Sequence, residues 1–141
     1  MNKDVTIKIK GLQKYPEGER VETVTETGGE YFFRNGSHFV KFEEEVEGFT
    51  EVSKCLLKVK EDYVEMTKKG LVDSHMIFEK DKCHRTQYKT PFGVIMMGMQ
   101  TKHIHMMEEE NALAIQIEYE LNAEEEHMAD CSIRIMIKSK V

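Results

Sequence analysis

Tryptophan is absent, proline occurs twice and cysteine three times in 141 residues, and each scarcity removes a class of fold. Cys55, Cys83 and Cys131 form no C-x-x-C pair and leave one thiol over after any pairing. They read as small buried hydrophobes in a reducing compartment rather than as a disulfide framework. Pro16 and Pro91 sit in no low-complexity stretch, and no linker or repeat interrupts the chain, so a single domain over 1–141 is expected. No apolar run approaches the roughly 18 residues of a membrane-spanning helix. Met1-Asn2-Lys3-Asp4 turns polar at once, without a signal-peptide core. A cytoplasmic protein without a membrane partner is expected. Positive charge is also short: Lys and Arg number 20 against 26 Asp and Glu, a net charge of −6. That balance argues against sequence-independent binding of nucleic acid, which depends on basic contacts to phosphates.

What the chain does have is alternation. Val5, Ile7 and Ile9 alternate with Thr6, Lys8 and Lys10. Leu113, Ile115, Ile117, Tyr119 and Leu121 alternate with Ala114, Gln116, Glu118 and Glu120, and Cys131, Ile133, Ile135 and Ile137 repeat the pattern. A period of two puts one side-chain row on a core and the other toward water. Further candidate strands fall at 19–27, 30–34, 37–43, 53–60, 62–68, 72–79, 83–90 and 93–105. Gly28-Gly29 and Asn35-Gly36 offer positive φ for tight hairpins. Lys69-Gly70 suits a bulged turn, and Pro91 with Gly93 a kink or bulge. Glu43-Glu44-Glu45, Glu108-Glu109-Glu110 and Glu124-Glu125-Glu126 read as solvated loop tips. No sustained helical stripe occurs, although 11–20 and 106–111 leave room for a short helix. The pattern predicts an all-β fold, a single antiparallel meander of about 8–10 strands closing into a barrel that removes exposed edges. A β-sandwich is the alternative.

Register is testable on paper. Folding 112–121 onto 128–138 opposes Ile115 with Ile135, Ile117 with Ile133, Tyr119 with Cys131, and Gln116 with Arg134, matching both faces. Folding 72–79 onto 83–90 opposes Phe78 with His84, Met76 with Thr86, Ser74 with Tyr88, and Asp73 with Lys89. Its core-facing row is then mixed. A dry core disfavours so many hydroxyls, since each unpaired buried one costs about 1–3 kcal/mol. Either this hairpin faces a lumen holding water or a ligand, or it lies at an open edge. Residues 93–105 begin apolar on both faces, with Val94 and Met96 on one and Ile95, Met97 and Met99 on the other. Such a strand needs an outer cover: an N-terminal segment, a short helix, or a second subunit in a homodimer.

Asp73-Ser74-His75-Met76-Ile77-Phe78-Glu79, then Tyr88-Lys89-Thr90-Pro91-Phe92-Gly93, Thr101 and Tyr119-Glu120-Leu121, resemble the YwiB-like family of small bacterial proteins. The Tyr-x-Thr-Pro-x-Gly segment carries most of the resemblance. It implies a calycin-like β-barrel, the fold group that includes lipocalins, and with it an interior cavity, but no activity.

Chemistry is sparse. His103-Ile104-His105 points two imidazoles to one side of a strand about 7 Å apart, close enough to share a metal, yet no third ligand follows in register. No metal or other cofactor is expected. No Gly-x-Ser-x-Gly elbow, phosphate loop or activated cysteine is present. The reading is therefore a small-molecule-binding barrel for a partly apolar ligand, with Ser74, Met76, Thr86, Tyr88, Thr101 and Tyr119 lining its lumen. A protein-interaction or homodimeric module is the alternative. An enzyme using the lumen polar groups, with Arg85 or the histidines, is a further one.

Overall fold

The computed structural model describes residues 1–140 as ten antiparallel strands and turns, with no helix among them. They are β1 (Asp4–Lys14), β2 (Arg20–Arg34), β3 (Ser37–Glu45), β4 (Val52–Lys60) and β5 (Tyr63–Gly70). β6 (Ser74–Glu79), β7 (Cys83–Thr90), β8 (Gly93–Glu109), β9 (Ala112–Ala123) and β10 (Glu126–Ser139) follow. The strand order is β6-β5-β4-β3-β2-β1-β10-β9-β8-β7. Every connection except β6–β7 is a hairpin, and β1 joins β10, so the first and last strands lie mid-sheet and the free edges are β6 and β7. The sheet curls until these edges meet, a meander nearly closed into a barrel.

Alternation decides which face is inside. Val5, Ile7, Val40, Leu57, Val59, Val64, Phe78 and Met99 join Leu113, Ile115, Ile117, Tyr119 and Leu121 in one buried cluster, with Cys131, Ile135 and Ile137. Lys10, Lys41, Lys54, Lys60, Glu118, Arg134 and Lys138 point outward and are exposed. This is the reverse of a membrane-spanning barrel, whose apolar band faces outward. The β9–β10 register is the one expected, with Ile115 opposite Ile135, Ile117 opposite Ile133, Tyr119 opposite Cys131 and Gln116 opposite Arg134. Asn35 (φ 51°) and Gly36 (φ 79°) form the two-residue turn between Arg34 and Ser37.

Four expectations are corrected. Gly28-Gly29 is not a turn, because β2 runs unbroken through it. The first half of β2 pairs with β1 only, down to Arg20 opposite Lys14, whereas β3 joins it only from Gly29 to Arg34. The glycines sit where β3 parts from β2. A Cβ at Gly29 would lie 2.9 Å from the Lys41 carbonyl oxygen. Second, 72–79 and 83–90 do not form the expected ladder. Asp73 and Lys89 meet in that register, exchanging both backbone hydrogen bonds at 3.0 and 2.9 Å. The pairs Ser74–Tyr88, Met76–Thr86 and Phe78–His84 are not made. The backbone of the β6–β7 turn bonds to Thr101 of β8 instead, from Asp81 N at 3.0 Å and to Lys82 O at 3.1 Å. β6 and β7 are the two edges that meet at the seam of the barrel, with Ser74 buried and Thr86 and Tyr88 half-buried there. Third, residues 11–14 and 106–109 continue β1 and β8 as strand, and Pro91-Phe92 is the turn between Thr90 and Gly93 rather than a bulge. Fourth, Glu43-Glu44-Glu45 is no loop tip but the end of β3.

Candidate functional site

The last of these corrections leads to the site. On β3 the inward row is His38, Val40, Phe42 and Glu44, and on β5 it includes Val64, Met66 and Lys68. β4 lies between them, with small inward residues Ser53 and Cys55. Lys68 reaches across β4 and places Nζ 3.0 Å from both carboxylate oxygens of Glu44. The two side chains are 17% and 20% exposed, so the pair sits at a rim rather than in the dry core. Burial pushes the nearby Cys55 thiol up to about 11, although Lys68 pulls the other way.

This ion pair borders a cavity of about 180 Å³. Its apolar wall includes Ile9, Leu57, Met66, Met76, Phe78, Ile117 and Ile133, and its polar side carries Gln13, Thr23, Thr25 and Ser132. The space has a sequence cause. The inward row of β1 runs Val5, Ile7, Ile9 and then Gly11, which faces Thr23 of β2. A Cβ at Gly11 would lie 2.8 Å from Thr23 Oγ1. Glycine and two threonines stand where larger side chains fill the rest of the barrel. They stand, moreover, along the half of β2 that β3 does not pair.

Of the six lumen residues expected, the structure brings two to this cavity. Met76 and Tyr119 line it, and the Tyr119 ring packs edge-on against Phe78 with centroids 4.8 Å apart. Burial holds the Tyr119 hydroxyl well above its ordinary range. Ser74 and Thr101 are buried elsewhere, their hydroxyls without a hydrogen-bond partner. Thr86 and Tyr88 are half-buried on the edge strand β7. Gly11, Thr23, Thr25, Glu44 and Lys68 escaped sequence reasoning. The signal that finds the last two is parity, since each charge ends a row whose other members are apolar.

His103 and His105 are exposed on β8, beside Glu118 and Gln116 of β9. No group of three His, Cys, Asp or Glu side chains among the described residues is placed to hold a metal ion. A different polar cluster closes the opposite end of the barrel. Tyr31 Oη lies 2.7 Å from His38 Nδ1, and His38 Nε2 lies 2.9 Å from Glu108 Oε1 at the end of β8. Glu108 too is therefore more than a solvated tip. None of these three residues lines the cavity.

Fold and site together define a nearly closed antiparallel β-barrel with a small, mostly apolar cavity and a charged rim. Residues 7–135 match the family model described as Domain of unknown function (DUF1934). The chain belongs to this family. The crystal structure of ywiB protein from Bacillus subtilis superposes with a TM-score of 0.85 at 20% identity, covering 99% of this chain and 93% of that one. At that identity the likeness shows the fold, as the YwiB-like resemblance implied. No curated protein is similar enough to count as a relative.

Proposed function

We propose that this barrel binds a small, partly apolar molecule in the cavity bordered by Gly11, Thr23, Thr25, Glu44 and Lys68. The observation that carries the reading is the cavity itself, about 180 Å³ beside a half-buried ion pair. Its size sets the ligand. An apolar cavity of about 150 Å³ accommodates benzene, whereas sites for drug-sized ligands run to roughly 300–1,000 Å³. The ligand is thus one ring or a short branched chain with a polar head at the rim, smaller than the cargo a lipocalin-like lumen would suggest. Met76 and Tyr119 remain in the proposed set; Ser74, Thr86, Tyr88 and Thr101 lie outside the cavity lining and leave the set. The three cysteines are free thiols, which supports a reducing compartment such as the bacterial cytoplasm.

Native mass spectrometry of protein purified from its own host tests this, alongside Thr25→Phe, whose ring would fill the cavity. The expected result is a retained small mass on the wild type and none on a folded Thr25→Phe. Wild type that carries no mass, and gains no thermal stability from any one-ring or short-chain probe, overturns the reading.

A second reading, the homodimeric or interaction module, is favoured by one observation. Phe92 is 88% exposed, and Val94, Ile95 and Met96 beside it are exposed on both faces of the β7–β8 hairpin. The Phe49 ring meets Phe92 edge-on with centroids 6.0 Å apart, yet these side chains stay exposed, and contiguous apolar surface of this kind marks interfaces. Light scattering that stays monomeric at high concentration removes this reading.

A further inference from the structure

Glu44 and Lys68 are the charged residues among those that line the cavity, and they have opposite signs. We infer that the cavity takes a free α-amino acid with a branched-aliphatic or aromatic side chain, an inference that rests on the small-molecule reading above. The argument is a balance of charge at the rim. A monoanion that pairs with Lys68 strands the Glu44 carboxylate, and a monocation that pairs with Glu44 strands the Lys68 ammonium. Removing one partner from a half-buried pair is costly because the other charge then has neither water nor a counter-ion. An α-amino acid carries both signs a few ångströms apart, so its carboxylate meets Lys68 while its ammonium meets Glu44. One internal pair becomes two, and no charge is left over.

Geometry supports the same class. Lys68 Nζ and both Glu44 oxygens lie within 3.0 Å, the spacing of an α-carboxylate from its own ammonium. Thr23 and Thr25 line the same cavity with hydroxyl-bearing side chains, and Leu57, Met76 and Ile117 add apolar lining. The volume of about 180 Å³ suits a leucine- or phenylalanine-sized side chain. The chain's net charge of −6 repels a monoanion but not a net-neutral zwitterion.

The test is isothermal titration with L-leucine and L-phenylalanine against analogues lacking one or both charges: isovalerate and 3-phenylpropionate, isoamylamine and phenethylamine, and 3-methylbutan-1-ol. Wild type should bind at least one amino acid tenfold or more tightly than each of its singly charged analogues and the alcohol. Glu44→Gln and Lys68→Met, each checked for a native circular dichroism spectrum, should each lose at least tenfold for the amino acid and little for the alcohol. Thr25→Phe should abolish all binding. If an analogue or the alcohol binds as well as the amino acid, the inference is overturned while the cavity reading stands. A retained host ligand with neither amino acid binding has the same meaning. If no probe binds and no host ligand is retained, both readings are overturned.

Discussion

The inward row of β3 begins at His38 and ends at Glu44, roughly 20 Å away at the strand rise per residue, and the two ends have solved different problems. At the His38 end a hydrogen-bonded chain, Tyr31–His38–Glu108, ties the β2–β3 hairpin to β8 and lies apart from the cavity. Its carboxylate, Glu108, is 56% exposed. At the Glu44 end, two opposite charges face each other at the rim of a space made by Gly11, Thr23 and Thr25. One end spends its polar groups on closure and the other keeps its own beside an opening. The difference teaches that a charge facing a barrel interior is informative in proportion to its burial and to the room beside it.

Breaking the charged end should have the largest effect. Lys68→Met strands the Glu44 carboxylate. Removing one member of a fully buried pair costs about 3–5 kcal/mol, but a fifth of each side chain is wet here, so about 1–3 kcal/mol is expected. Denaturant unfolding of Lys68→Met and of Glu44→Leu/Lys68→Met measures this, and the double variant should recover most of the loss. Equal loss in both would show that the charges are uncoupled.

At the other end, His38→Leu removes two hydrogen bonds, but water reaches Glu108, so only the Tyr31 hydroxyl is stranded. The expected loss is about 1 kcal/mol, with ligand retention unchanged. Loss of the retained mass in this variant would mean that the two ends are not independent.

The outer wall gives a smaller, pH-dependent contrast. Burial alone would raise the Glu65 carboxyl, but hydrogen bonds from Tyr63 (2.7 Å) and His75, with the charges of His75 and Lys58, hold it below its ordinary 4.5. Its folded value lies below its unfolded one, so its contribution is present above about 4.5 and is lost as pH falls through the lowered value. Glu65→Gln should therefore lower stability slightly at neutral pH, leave it nearly unchanged well below pH 4.5, and so flatten the acid limb of the stability profile. An unaltered acid limb would contradict the assignment. The least disruptive measurement is thiol counting at neutral pH. Burial pushes Cys55 and Cys131 up to about 11, whereas Cys83 is exposed on β7. Native protein should react at Cys83 alone and denatured protein at all three, because a buried neutral thiol is a poor nucleophile. Rapid labelling of Cys55 in the native state would show the rim to be far more open.

Much of this was legible in the residues. The rows Val5-Ile7-Ile9, Leu113 to Leu121 and Cys131 to Ile137 lie on the core as alternation requires, and the β9–β10 register holds pair by pair. The misreadings share one origin. Gly28-Gly29 looks like a turn because glycine is read locally, whereas here it marks where two neighbouring strands part. The segment 72–90 has the expected register at Asp73–Lys89, but two strands at the closing seam of a barrel obey its curvature as well as each other. Glu44 looked solvated inside an acidic triplet, although its parity with Val40 and Phe42 already pointed inward.

The residues alone determined the period, the strands and the side of the sheet each side chain occupies, because these depend on neighbours one to three positions apart. Tertiary structure alone decided that Glu44 meets Lys68 across an intervening strand and that the Thr23 hydroxyl packs where a side chain at Gly11 would stand. Such meetings depend on how far each strand is staggered as the sheet curls shut, and stagger is set by all ten strands together.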